Sequence, residues 1–163
     1  MEKTIYLAGG CFWGVQEYFS RIKGVINTTC GYANGETAFP TYEEVKSQKT
    51  GHAETVKIEY DDEIISLEKL LEHFLRFVDP YSVNKQGEDE GSQYRSGVYY
   101  TDLLDAITTR SYFSSNLKPG YKIEIAKLNN FFKAEEYHQD YLKKNPTGYC
   151  HINLNIIKDN EKK

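Results

Sequence analysis

No stretch of this chain approaches the roughly 20 consecutive apolar residues that a membrane-crossing helix requires, so a helical span is excluded. The opening residues Met1-Glu2-Lys3-Thr4-Ile5 lack the basic start, apolar stretch and small-residue cleavage site of a secretory signal, and a cytoplasmic, reducing location is expected. Cysteine is scarce: Cys11, Cys30 and Cys150 form an odd set with no short spacing. That pattern suits neither a disulfide scaffold nor a four-ligand zinc site. An excess of positive charge is missing too. With 20 Lys and Arg against 24 Asp and Glu, the net charge of −4 argues against a nucleic-acid surface. Repeats, linkers and low-complexity segments are absent, so the 163 residues read as one domain able to bury a real core.

What the chain does have is tyrosine, 14 of them, beside eight phenylalanines. Most must build core, yet tyrosine hydroxyls also serve as neutral hydrogen-bond donors in a site. Residues 3–8 read as a central strand, because Ile5 and Leu7 alternate with Tyr6 and Ala8 and leave both faces apolar. Gly9-Gly10 ends it, and a helix begins near Cys11. A strand follows at about 24–32. Thr41 and Glu44 make a capping box for a short helix that carries Tyr42. Residues 54–60 alternate as a strand, and Ser66 caps a helix striped with Leu67, Leu70, Leu71, Phe74, Leu75 and Val78 until Asp79-Pro80 stops it. A polar loop is expected at 82–93. A strand (95–100), a helix (102–114), a strand (121–126) and a last helix (134–143) follow, and then a coil tail. The fold class is α+β, a mixed sheet with helices and a ferredoxin-like split βαβ core.

Two positions stand out chemically. Cys11 follows a strand and a Gly-Gly turn and opens a helix, where free N–H groups and the macrodipole favour a thiolate. Lowering a thiol pKa from about 8.5 to about 7 takes roughly 2 kcal/mol, and a helix terminus typically supplies ~0.3–1. The helix start therefore needs help from a bound substrate or a proton donor. Trp13 falls with Gln16, Glu17 and Ser20 on the polar side of that helix; either a neighbouring loop covers it, or it walls a pocket beside Cys11. The second position is Glu54, which period two puts on the apolar face with Val56, Ile58 and Tyr60. Burial raises a carboxyl pKa, and a neutral carboxylic acid can act as a proton donor. A strand-end glutamate turned to water remains the alternative.

The ordered motifs resemble the methionine sulfoxide reductase A family. They are Gly10-Cys11-Phe12-Trp13-Gly14, Gly31-Tyr32, Pro40-Thr41-Tyr42-Glu43-Glu44-Val45, Thr50-Gly51-His52-Ala53-Glu54, Asp79-Pro80 and the run from Gln86 to Ser96. Ala134-Glu135, Tyr137-His138-Gln139, Tyr141-Leu142 and Asn145-Pro146 complete the set, which spans about residues 4–150.

The resemblance implies that Cys11 attacks the sulfoxide sulfur and Glu54 protonates the departing oxygen, with Tyr42 and Tyr94 hydrogen-bonding that oxygen. It makes Phe12 and Trp13 the holders of the substrate methyl group and Asp89 an orienting carboxylate, with His138 and Tyr149 in lesser roles. It also implies a core at about 3–145 and a flexible tail, 146–163, in which Cys150 of Gly148-Tyr149-Cys150 resolves a Cys11 sulfenic acid as a disulfide. Thioredoxin then restores both thiols. Some relatives carry two recycling cysteines near the C-terminus, whereas this chain has one. Cys30 has no counterpart and reads as buried and inert. Methionine S-sulfoxide, free or in proteins, is the implied substrate; a monomer without cofactor or metal is expected. Rival readings are a thiol peroxidase, a cysteine hydrolase pairing Cys11 with His52 or His138, and a peptide-binding module anchored on Trp13.

Overall fold

Alternation along β1 (Glu2–Gly9) decides the architecture of the computed structural model, which describes residues 1–163. Ile5 and Leu7 join the main core on one face of the sheet, while Ala8 belongs to a smaller cluster on the other. The chain continues through α1 (Phe12–Ser20), β2 (Val25–Ala33), α2 (Tyr42–Lys46), β3 (Ala53–Asp61) and α3 (Leu67–Phe77). A two-stranded ribbon of β4 (Lys85–Gln86) and β5 (Asp89–Glu90) precedes β6 (Ser96–Tyr100), α4 (Leu103–Asn116), β7 (Glu124–Lys127), β8 (Phe131–Lys133) and α5 (Tyr141–Lys144).

The six-stranded sheet has the order β7-β6-β1-β3-β2-β8. Only β6 and β7 run parallel; the other pairs are antiparallel. The main core joins Ile5, Leu7, Val56 and Ile58 of the sheet to Val15 and Phe19 of α1 and Leu70 and Phe74 of α3. On the reverse face, small Ala8, Ala33 and Ala53 pack with Tyr99. This is a mixed α/β single domain with β1 between β3 and β6, the interior place its two apolar faces require.

The caps form as their residue types dictate. Thr41 Oγ1 accepts the Glu44 N–H at 3.2 Å while the Glu44 carboxylate accepts the Thr41 N–H at 2.9 Å. Ser66 Oγ accepts the Lys69 N–H at 3.1 Å, and α3 ends where Asp79-Pro80 begins.

Several expectations need correction. The helix expected over 134–143 is a three-residue 3-10 turn (Glu136–His138) and the separate α5, broken at Asp140, whose φ is +53°. Tertiary bonds outcompete helical ones here: the Gln139 side chain accepts the Cys30 N–H at 2.9 Å and donates to the carbonyls of Cys30 and Ala134 at 2.9 and 3.0 Å. Just before it lies β8, an edge strand on β2 that the sequence pattern did not reveal. The strand expected at 121–126 begins later, at Glu124. The loop at 82–93 contains the β4–β5 ribbon and the start of a 3-10 turn, Ser92–Tyr94.

The polar side of α1 is covered rather than solvated. Gln16 and Glu17 are buried, and Glu17 is paired with Arg21 at 2.7 Å and Lys143 at 2.9 Å. The tail is not loose beyond Cys150 either: Ile152 and Ile157 join the core, and Glu161 forms a two-pronged pair with Arg76 at 2.7 Å.

Candidate active site

Gly10, at φ +91°, turns the chain sharply from β1 into α1. A side chain would be strained there and would strike Gln86, so glycine is required. Cys11 becomes the N-cap of α1, with φ −55° and ψ 123°. The nearby Trp13 backbone N–H favours its thiolate. Burial opposes it and wins. The thiol is pushed well above its ordinary range, first by desolvation and then by the nearby Glu54 charge. The magnitudes explain the outcome: a helix end gives ~0.3–1 kcal/mol, whereas full burial can move a pKa by several units at about 1.4 kcal/mol each. The resting Cys11 is therefore a neutral thiol, burial adding to the shortfall expected of the helix start alone. It is not sealed, keeping 7 % of its surface where Cys30 keeps 0 %.

Glu54 points inward from β3, as the alternation requires, and is 2 % exposed. One carboxyl oxygen accepts the Phe12 N–H at 3.3 Å, which seats the group at the first turn of α1 next to Cys11. Desolvation raises its pKa to about 8, with the Asp89 charge adding to the shift and the Phe12 bond opposing it, so the carboxyl is largely protonated at neutral pH.

Tyr42 and Tyr94 close this cluster, near each other and within the influence of Cys11 and Glu54. Burial pushes Tyr42 up to about 12 and Tyr94 higher still, so both remain neutral donors. The backbone of Tyr42 is fixed by Glu135, which accepts its N–H at 2.9 Å and the Tyr32 hydroxyl at 2.6 Å.

Trp13 is half-buried and stacked on Tyr141, with ring centroids 3.7 Å apart and planes 11° from parallel. Its indole N–H donates to His138 Nδ1 at 2.9 Å. His138 is thus a neutral imidazole carrying its proton on Nε2, and burial lowers its pKa. The His138 ring stands 4.4 Å from that of Tyr42 and 5.1 Å from that of Phe12, centroid to centroid. Phe12 itself is almost wholly buried. Gln16 locks this wall to the turn beyond it, accepting the Asp140 N–H at 2.8 Å.

The tail completes the arrangement. The Tyr149 hydroxyl donates to Asp89 Oδ2 at 2.9 Å, and Cys150 Sγ lies 3.0 Å from where a Cβ on Gly14 would stand. Cys150 therefore rests against the first turn of α1, a few residues from Cys11, and all three thiols are free.

The structure thus gathers Cys11, Phe12, Trp13, Tyr42, Glu54 and Tyr94 with His138 behind the aromatic wall. Asp89 and Tyr149 border the site together. Tyr141 and Glu135 carry no role in the sequence reading although both lie in its matched segments; stacking and backbone bonds across the fold leave no mark on the periodicity of one segment. His52 is occupied elsewhere, its Nδ1 accepting the Gly35 N–H at 3.0 Å and its Nε2 2.7 Å from the Thr37 carbonyl. That leaves it unsuited as a base for Cys11 in a hydrolase. No group of three or more His, Cys, Asp or Glu converges as a metal site. A 240 Å³ hollow between Ile22, Lys69, His73 and Glu161 includes none of these site residues.

Comparison with known proteins adds an independent line. The family model described as "Peptide methionine sulfoxide reductase" matches residues 3–163. The chain is 52% identical over 161 residues to peptide methionine sulfoxide reductase MsrA of Ureaplasma urealyticum, covering 97% of this chain and 98% of that one. It is 56% identical over 155 residues to the MsrA of Lachnoclostridium phytofermentans, covering 93% of each. Among solved structures, Mxr1 from Saccharomyces cerevisiae in reduced form superposes with a TM-score of 0.83 at 35% identity, over 91% of this chain and 88% of that one. The yeast protein has also been solved in an oxidised form and in complex with Trx2.

Proposed function

The chain belongs to the peptide methionine sulfoxide reductase (MsrA) family, and on that premise we propose that it reduces methionine S-sulfoxide, free or in proteins, to methionine with Cys11 as nucleophile. The observation that carries the assignment of roles is a neutral carboxyl, Glu54, held beside the Cys11 thiol at the head of α1.

The chemistry follows from that pair. A sulfoxide oxygen is a poor leaving group until protonated. Glu54 has a proton to give at neutral pH, and the Tyr42 and Tyr94 hydroxyls can donate hydrogen bonds to the same oxygen. Trp13 and Phe12 offer an apolar, polarizable wall for the methyl–sulfur group. As Cys11 attacks, its thiol proton passes to the carboxylate that Glu54 has become. Methionine leaves with its sulfur electron pair restored, and Cys11 keeps the oxygen as a sulfenic acid. Asp89 holds Tyr149 and orients the loop beside the site.

Cys150 then attacks the Cys11 sulfur, forming the Cys11–Cys150 disulfide and releasing water. Its seat on Gly14 supports this role. Thioredoxin is the reductant that reopens the disulfide by thiol exchange, and the whole cycle serves repair of oxidised proteins in the cytoplasm. No helix here is long and apolar enough to cross a membrane. The arrangement of β6, β1, β3 and β2, with α1 and α3 as crossovers, supports a ferredoxin-like split βαβ core carrying this site.

The test is direct. Purified protein is supplied with each methionine sulfoxide epimer and a thioredoxin recycling system. Methionine should form from the S-epimer alone; failure with both epimers would reject the assignment.

A further inference from the structure

The residue after the resolving cysteine has an unexplained environment. His151 Nε2 lies 2.9 Å from the Gly9 carbonyl oxygen. A carbonyl only accepts, so Nε2 carries the ring hydrogen and Nδ1 is the bare lone pair of a neutral imidazole. That Nδ1 is buried and has no hydrogen-bond partner. A buried base with nothing to accept is costly, and the fold keeps it at a particular place.

The place is the first turn of α1. Gly14 presents a bare α-carbon there; Cys150 Sγ lies 3.0 Å and His151 Nδ1 3.4 Å from where its Cβ would be. Thiol and lone pair therefore flank one glycine on the helix whose N-cap is Cys11. At rest the Cys150 S–H donates to the Ile152 carbonyl at 3.3 Å. Burial holds the Cys150 thiol above its ordinary range, with Arg21 and Glu17 acting on it in opposite senses, so it does not ionise unaided. Burial also keeps His151 neutral, against the pull of Asp89, and so able to accept a proton.

We propose that His151 Nδ1 accepts the proton of the Cys150 thiol as Cys150 closes the disulfide with Cys11. The inference rests on the resolving role given to Cys150 above. In the step, the Cys150 sulfur electron pair forms the S–S bond and the Cys11 S–O bond breaks with its pair going to oxygen. The proton taken up by His151 is returned to that oxygen, which leaves as water. The Nε2–H bond to Gly9 ties the base to the strand-to-helix turn, so base and nucleophile are held against the same piece of backbone as the sulfenic acid.

The experiment separates two steps in a single turnover. One equivalent of methionine sulfoxide is added without reductant to wild type, His151→Gln and His151→Ala. Methionine release and loss of free thiols are timed in each. Disulfide closure should slow about tenfold or more relative to methionine release in both variants, and added imidazole should restore it in His151→Ala. Closure at the wild-type rate, both steps slowing in parallel, or no rescue by imidazole would overturn the proposal. Absence of methionine release from the wild type would overturn the parent assignment along with it and is distinguished by the first readout.

Discussion

Cys11 and Cys30 are both buried, and both thiols are pushed well above their ordinary range by desolvation first and the Glu54 charge second. They differ in the polar groups that face the sulfur. The Cys30 thiol donates to Gln16 Oε1 at 3.1 Å and lies 3.6 Å from the Phe12 carbonyl, so an anion there would face two acceptors. Cys11 instead sits at the start of a helix, where the Trp13 backbone N–H favours its thiolate, and keeps some access to solvent. Burial alone does not separate a reactive thiol from an inert one. What separates them is whether the surroundings can donate to the thiolate once the proton has gone.

The sharpest way to break that comparison is to exchange both sulfurs. Cys11→Ser should abolish turnover, whereas Cys30→Ser should keep activity within about threefold and lose roughly 1 kcal/mol of stability. Equal losses of activity in steady-state assays would erase the distinction.

Glu54 acts on both thiols, so its removal tests which one matters. Glu54→Gln should slow single-turnover reduction about 10²-fold, as expected for loss of a general acid. A rate at the wild-type level, measured by rapid quench, would contradict the donor role.

The same substitution has a pH signature. The folded pKa of Glu54 is raised from 4.5 to about 8. Its favourable contribution is therefore complete below about 4.5 and is lost as pH rises through about 8. At about 1.4 kcal/mol per unit, at most about 5 kcal/mol is at stake. Denaturant titrations across pH should show Glu54→Gln gaining on the wild type over that window and the difference levelling above it. A difference independent of pH would contradict a buried neutral carboxyl.

The smallest effect expected is at the aromatic wall. His138→Ala removes the acceptor of the Trp13 N–H and should cost about 1–2 kcal/mol of stability and raise KM more than it lowers kcat. Trp13 is the only tryptophan in the chain, so its fluorescence reports the lost bond directly. An unshifted emission spectrum would show the wall intact.

The legible part of this molecule is its first two-thirds. Ile5 and Leu7 against Tyr6 and Ala8, the Thr41–Glu44 box, the Ser66 cap and the inward Glu54 are local patterns, and local patterns survive in one sequence. The C-terminal third was harder to read because its conformation is decided elsewhere. Gln139 spends its side chain on the backbone of β2, Asp140 takes a left-handed turn, and Glu161 seeks Arg76 on α3. The covered polar side of α1 has the same origin: Gln16 and Glu17 look solvated until Asp140 and Lys143 arrive from more than a hundred residues away. Motif resemblance pointed to the site residues, but not to the burial that leaves Cys11 a neutral thiol at rest.

The central claim is that sulfur chemistry runs through Cys11 and Cys150 and bypasses Cys30. Mass spectrometry of the cysteine states after one turnover with methionine sulfoxide, without reductant, tests it most directly. The account predicts one methionine per chain, a Cys11–Cys150 disulfide and Cys30 as the remaining free thiol. A disulfide containing Cys30, or Cys11 recovered unmodified after methionine has formed, would contradict it.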